Sequence, residues 1–572
     1  MDQKIMFLKK YWGILAIGLF FVLQALSLPS VGMTWDEPSS FFFGRTPIHF
    51  YLSGGNREYV TDANYKDPNL FSRDPFQYIY GEDVYPPFPF IVASKISLLF
   101  AEKIPLMSSE VAHHLAFVII GSLGVLAMYG IGRLLGWSQW LATGIALLYG
   151  TYPTIVAQMR NDAKDVPLMS MLVICVYFVL LMLKSIKNHQ RMFFLSSILA
   201  SITFGLGVAS KPTAVIILPI LGVWFALAFA LFPKFRREIG RVSWVLASLF
   251  VLLPLSVLTF FLTWPWLWDD PVGKLTSVWN FFKVVGRFMP TLYLGTVYTA
   301  GRDLPWHYPL GILLLQTPIS VVFVGICSLI FVLLLIVKKR DAWSLLFLVW
   351  IALGMGRFFV PGVLIYAKIR HFIDVMPAFF VVIGIALHTV STWKWLAAPL
   401  SLPHLGTRTV GKIVSGVVVA ILLLEQGYIV VTHFPYEPSY FNAFIGGTKN
   451  VAQKKLFDIE YWASGVKDAM KYIDSQTKPG EKSMVYACTM AHLALFYETP
   501  KVVVTGNPIG ATYTLVPNSA SWFGGVESYM RQNHELVYTI SRSGGDLFYV
   551  YKHKSFSGWN CGQETSMVYE RP

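Results

Sequence analysis

Apolar runs set the limits on this chain more than any other feature. Runs long enough to cross about 30 Å of hydrocarbon centre on residues 11–28, 112–132, 139–158, 166–183, 192–208, 213–232, 243–263, 310–337, 343–356, 372–390 and 412–431. Inside a bilayer no water satisfies a bare N–H or C=O, so each run is expected to be an α-helix. Composition agrees, with 55% apolar residues, 14% charged residues and a mean hydropathy of +0.54, far from an ordinary soluble domain. The sequence therefore predicts a polytopic α-helical membrane protein of about eleven transmembrane helices.

A net charge of +14 could suggest nucleic acid as a partner. The Lys and Arg residues sit instead in short clusters between apolar runs, where they act as topology determinants, and nucleic-acid binding is not expected. With the N-terminus inside, the clusters around Lys9–Lys10, Arg133, Lys184–Arg191, Lys234–Arg241, Lys338–Arg340 and Lys394–Lys412 all fall in the cytoplasm. The stretch 86–100 opens with Pro86, Pro87 and Pro89 and carries Lys95; were it a span, the most basic loops would face outward. It is read as a helix lying on or dipping into the interface. The basic start, Met1 to Lys10, resembles a signal peptide, but without a convincing cleavage site it is read as the lead into an uncleaved first helix.

Residues 1–432 are thus expected to form the membrane domain, with long extracytoplasmic loops at 29–110 and 264–308. Residues 433–572 lose the apolar runs and show strand-like stretches such as Val502–Val504 and Leu547–Val550, which predicts a small α+β C-terminal extracytoplasmic domain. Cys488 and Cys561 lie in that exported part and are expected to pair, whereas Cys175 and Cys327 sit in apolar runs as small hydrophobes.

Ionisable residues are nearly missing from the centres of the third to ninth runs and gather at the outer ends: Asp36 and Glu37, Arg160 to Asp165, Lys211, Asp269 and Asp270, Arg302 to His307, and Lys368 to Asp374. A transporter would carry them near the midplane. The pattern describes a site at the outer membrane surface, suited to a substrate with a lipid tail and a charged head. Each cluster also has a plain structural reading. Thr34-Trp-Asp-Glu37 has capping-box spacing, Asp165-Val-Pro167 looks like an N-cap with an early proline, Lys211-Pro212 could be a snorkelling lysine, Trp264 to Trp268 an aromatic interface belt, and His113-His114 an interfacial pair.

The order of these motifs resembles the protein O-mannosyltransferase family 39 of multi-span (GT-C type) glycosyltransferases and its bacterial aminoarabinose-transferase-like relatives. The resemblance rests on Thr34-Trp-Asp36-Glu37-Pro, Tyr85-Pro-Pro, Arg160-Asn-Asp-Ala-Lys164-Asp165-Val-Pro, Ala209-Ser-Lys211-Pro-Thr, Leu304-Pro-Trp-His307-Tyr-Pro, Arg370-His371-Phe-Ile-Asp-Val-Met-Pro and Phe457-Asp-Ile-Glu-Tyr-Trp462. It implies an inverting transfer of a sugar from a polyisoprenyl-phosphate donor to a hydroxyl of a protein or glycolipid acceptor outside the cytoplasm. Asp36 would be the general base and Glu37 would orient the acceptor or the loop. Lys164, Lys211 and Arg370, with His371, His307, Arg160 and Asp165 beside them, would bind substrate and hold the phosphate. No metal or other cofactor is obligatory, because the departing group is already a phosphate; a divalent ion is possible but not indicated. The absence of an Asn-x-Ser/Thr sequon in the exported segments fits a bacterial inner membrane. A lipid-linked-sugar flippase and a non-catalytic scaffold remain the alternatives.

The charge distribution makes the topology testable: reporter fusions should read exported at residue 440 and cytoplasmic at residue 238, and opposite readings at both would overturn the arrangement.

Overall fold

The computed structural model describes residues 3–55, 85–240, 242–284, 287, 289–339, 341–366, 368–392 and 407–554. Among these, nine helices are long and apolar enough to cross a membrane, and a tenth crossing is completed if the helices Gln139–Gly150 and Pro153–Asn161, bent by 66°, form one span. The remaining expected segment, 243–263, falls on the helix Val242–Thr263, whose Leu252–Thr263 part is a shorter apolar helix. The 66° bend follows from the sequence. Pro153 offers no N–H to the turn before it, and the residue preceding a proline is driven out of the helical region; Tyr152 sits at φ −56°, ψ 128°.

Two expectations change here. The apolar run 310–337 is not one helix: it breaks into Tyr308–Gln316 and Ile319–Lys339, because Pro318 cannot donate to the preceding turn and Thr317 is extended. The pair His113-His114 is fully buried rather than interfacial; His113 contacts the Ser40 hydroxyl at 2.6 Å and His114 lies 2.6 Å from Glu37. The stretch 86–100 is a short helix, Phe88–Ser97, running into a wider turn at Leu98–Lys103. It packs on the helix Glu37–Leu52 so closely that a Cβ on Gly44 would lie 2.0 Å from the Phe90 carbonyl oxygen.

The Trp264–Trp268 stretch, expected as an interface belt, turns two of its three tryptophans into the protein. Trp264 and Trp266 are buried against Leu267 and Val278 in a local cluster, ahead of the helix Pro271–Val284 and an antiparallel hairpin, β1 (Pro290–Tyr293) and β2 (Thr296–Thr299).

After the helix Thr407–His433 the chain builds a five-stranded mixed sheet. Its strands are β3 (Ser483–Tyr486), β4 (Val502–Thr505), β5 (Tyr513–Pro517), β6 (Glu535–Arg542) and β7 (Gly545–Lys552), in the order β4-β3-β5-β7-β6. β3 pairs parallel with β4 and β5, while β7 is antiparallel to β5 and β6, and the helices Val466–Gln476 and Ala520–Asn533 belong to the same region. This is the expected small α+β unit. Cys488 is disulfide-bonded and Cys175 and Cys327 are free; Cys561 lies outside the described residues.

The sheet region is locked onto the helices through the loop that follows the first one. Lys467 Nζ contacts the Val31 carbonyl and Glu110, both at 2.8 Å. Tyr497 donates to Glu110 and accepts from the Met33 N–H. The Trp35 N–H bonds the Trp462 carbonyl at 3.1 Å. Gly32 permits this approach, since a Cβ there would meet the Ser464 carbonyl oxygen at 2.5 Å.

Candidate active site

Four polar turns at helix ends meet at one place. The first follows the helix Gln3–Ser27 and presents Trp35 and Asp36. Asp36 precedes the helix Glu37–Leu52 but makes no capping hydrogen bond. The carboxylate contacts Lys164 Nζ at 3.0 Å and Arg370 Nη1 at 3.1 Å. Burial alone would push this carboxyl up; the two cations outweigh that and hold it well below the usual carboxylate range.

The capping box is carried by Glu37, which accepts from the Thr34 N–H at 2.5 Å and the Thr34 hydroxyl at 3.1 Å. Its other oxygen faces His114, and both side chains are fully buried. Burial pushes the Glu37 carboxyl up, against the pull of His114.

The second turn, between the bent helix and Asp165–Ser185, brings Lys164 and Asp165. The expected cap at Asp165 is in fact provided by Asp162, whose Oδ1 accepts from the N–H groups of Lys164 and Asp165 at 2.8 and 2.9 Å. Asp165 is thereby free to turn inward, with Lys211 Nζ at 2.5 Å and Arg370 Nε at 3.6 Å. Burial, then the charge of Asp165, raises the Asp162 carboxyl to about 7. The third turn carries Lys211, and the fourth, Lys368–Val375, carries Arg370 and His371.

The structure thus joins Asp36, Lys164, Asp165, Lys211 and Arg370 in one alternating chain of charge. His371 lies beside it, its ring 4.4 Å from that of Tyr366. Arg160 and His307 are placed elsewhere. Arg160 is buried, with Nη2 2.5 Å from Glu437 and its guanidinium over the Phe434 ring. His307 is exposed at the start of Tyr308–Gln316 and bonds the Tyr293 hydroxyl at 3.0 Å.

Above this chain of charge opens a cavity of about 340 Å³. Asp36, Lys164 and Arg370 line it, whereas Glu37, Asp165 and Lys211 do not. Much of the wall was not singled out as site residues by the sequence: Lys368, the rings of Tyr366, Tyr461 and Trp462, β1, and Pro517, Ser519, Trp522 and Phe523 from the sheet region. The signal for Tyr461 and Trp462 lay in the aromatic stretch after the last span; for Trp522 there was none, because only folding brings it near the helices. Among the described residues no group of three or more His, Cys, Asp or Glu is placed to hold a metal ion.

A bundle of membrane-length helices carries an acid and two cations at its ends, beside a small sheet region. Residues 86–264 match the family model described as dolichyl-phosphate-mannose-protein mannosyltransferase. ArnT from Cupriavidus metallidurans, solved bound to undecaprenyl phosphate, is similar in fold, with a TM-score of 0.51 at 14% identity, covering 94% of this chain and 98% of that one. An oligosaccharyltransferase from Archaeoglobus fulgidus aligns with a TM-score of 0.49 at 15% identity over 96% of this chain and 75% of its own. The protein O-mannosyltransferase Pmt1-Pmt2 complex of S. cerevisiae aligns with a TM-score of 0.47 at 11% identity over 74% and 90%. No curated protein matches the sequence. Residues 86–264 thus resemble the mannosyltransferase family, and the chain as a whole shares the fold of ArnT.

The position of Arg160 gives a direct test. Arg160→Gln would leave Glu437 buried without its partner, at a cost of about 3–5 kcal/mol, so a clear fall in melting temperature is expected. A variant as stable as the wild type would contradict a structural role for the Arg160–Glu437 pair.

Proposed function

We propose that this protein is an inverting glycosyltransferase that moves a sugar from a polyisoprenyl-phosphate donor to an acceptor hydroxyl on the extracytoplasmic side of the membrane. The observation that carries the reading is Asp36, in contact with both Lys164 and Arg370 at the foot of a cavity formed at helix ends. The ArnT structure of similar fold holds undecaprenyl phosphate, which supports a lipid phosphate as the anionic ligand here.

In this mechanism the lipid tail lies along the helices and the donor phosphate is drawn to Lys164 and Arg370, where charge-assisted hydrogen bonds are strongest away from water. Lys211 and Asp165 position the Arg370 side chain from below. Asp36 takes the proton of the acceptor hydroxyl as its oxygen bonds the anomeric carbon. The bond from that carbon to the phosphate oxygen breaks, its electron pair leaves with the polyprenyl phosphate, and the two cations stabilise the growing charge. Attack opposite the leaving group inverts the anomeric centre. Glu37, clamped by Thr34 and His114, fixes the turn that aims Asp36. The basic clusters argue for an N-terminus in the cytoplasm and the sheet region outside, and the lack of an Asn-x-Ser/Thr sequon in the exported segments supports a bacterial inner membrane.

Asp36→Asn preserves shape and removes the proton acceptor. It should fold, still bind undecaprenyl phosphate, and lose at least about a hundredfold in turnover, measured with radiolabelled polyprenyl-phosphate sugars and membrane extract as acceptor. Near-normal turnover would remove the general-base assignment.

A further inference from the structure

Lys368 is a cation the reaction above leaves unused. Its side chain lines the cavity, yet the residue is only 5% exposed. The ammonium group makes one long contact, 3.5 Å to the Ile459 carbonyl, and lies over the rings of Tyr461 and Phe441 at 4.8 and 5.2 Å. Among the described residues no carboxylate comes within ion-pairing distance of it. A buried ammonium with three donors and one stretched bond is costly unless a ligand completes it. The backbone is strained as well: Lys368 has φ +57°, a left-handed conformation that a long side chain rarely adopts, held by its N–H bonding the Tyr308 hydroxyl at 3.2 Å. Strain of this kind gathers where a ligand is held.

The surroundings select the ligand. Asp458 and Glu460 are the acidic groups that attract Lys368, and both are already committed. Asp458 accepts from the Leu292 N–H, the Ser519 hydroxyl and both polar groups of Ser521; Glu460 accepts from the N–H groups of Trp462 and Ser464 and the Ser464 hydroxyl. Two acidic groups face one ammonium at this end of the cavity, with burial raising the Glu460 carboxyl, so no surplus of positive charge is left there for a phosphate or a carboxylate. The neighbouring wall is aromatic, with Tyr308, Tyr461, Trp522 and Phe523. A fixed ammonium donating to neutral oxygens, beside rings that suit C–H faces, is a site for an uncharged sugar. This wall includes β1 and residues of the sheet region rather than the helix ends that carry Lys164 and Arg370.

We propose that Lys368 and the Tyr461–Trp522 wall bind the acceptor, and that the acceptor is an uncharged saccharide rather than a peptide or a phosphorylated sugar. The proposal rests on the glycosyltransferase reading given above. It is tested by equilibrium binding, so its failure is separable from failure of that reading. Protein in lipid nanodiscs is titrated with mannotriose and, in parallel, with a serine- and threonine-containing peptide, by saturation-transfer NMR; undecaprenyl phosphate affinity is measured on the same samples. The wild type should bind the trisaccharide and not the peptide. Lys368→Met should weaken the trisaccharide roughly tenfold or more, as for loss of a charge-assisted hydrogen bond, with undecaprenyl phosphate affinity unchanged, and Lys368→Arg should restore most of it. Lys368→Gln is read in the same way if Lys368→Met does not fold. Preference for the peptide, no trisaccharide binding, or unaltered binding in the Lys368 variants would each overturn the proposal; trisaccharide binding without any sugar transfer would instead contradict the glycosyltransferase reading.

Discussion

Opposite charges at the ends of apolar helices are expensive to keep out of water unless each finds a partner, and that requirement shapes this site. Asp36 holds Lys164 and Arg370, Arg370 reaches on to Asp165, and Asp165 holds Lys211. The four turns that supply these residues come from distant parts of the chain, so the cluster fixes how the helix ends are arranged. In the proposed reaction the same cations serve a second anion. A phosphate arriving at Lys164 and Arg370 competes with Asp36 for them, and as they turn toward the phosphate the carboxylate loses what kept its proton affinity low. Donor binding would thereby make Asp36 a better base.

The sheet region belongs to this site structurally. The Trp462 carbonyl holds the Trp35 N–H, and His492 Nε2 lies 3.2 Å from the Trp35 carbonyl oxygen with the two rings in edge contact. The residue before Asp36 is therefore gripped from both sides by chain that follows the last span. The Trp462 ring also lies 4.8 Å from the Arg370 guanidinium. A helical bundle alone would leave Asp36 on an unsupported turn and the cavity without much of its wall.

The helical architecture was legible because a bilayer allows few solutions to a long apolar run, and the acid at Asp36 was legible because charge at a helix end stands out from such a background. Finer features depended on chain breaks and distant neighbours. Thr317-Pro318 divided a run that hydropathy alone joined into one helix. Asp162 took the capping role that local pattern gave to Asp165, and Glu37 took the one that the acidic pair shared. Arg160 lay in the same conspicuous motif as Lys164, but its partner is Glu437, and nothing in the local sequence of either reveals the other. Lys368 was visible as one of several charges at a helix end; its isolation in the cavity arises only when Asp458 and Glu460 are consumed by their own hydrogen bonds.

The central claim is that Asp36 and the donor phosphate share one pair of cations. Difference infrared spectroscopy on isotope-labelled protein, with the Asp36→Asn variant to assign the signal, can follow the Asp36 carboxyl through its titration with and without undecaprenyl phosphate. The account predicts a carboxyl that stays ionised to well below the usual range in the free protein and whose apparent pKa moves up when the lipid phosphate binds. A titration that is unchanged, or shifted further down, would contradict it.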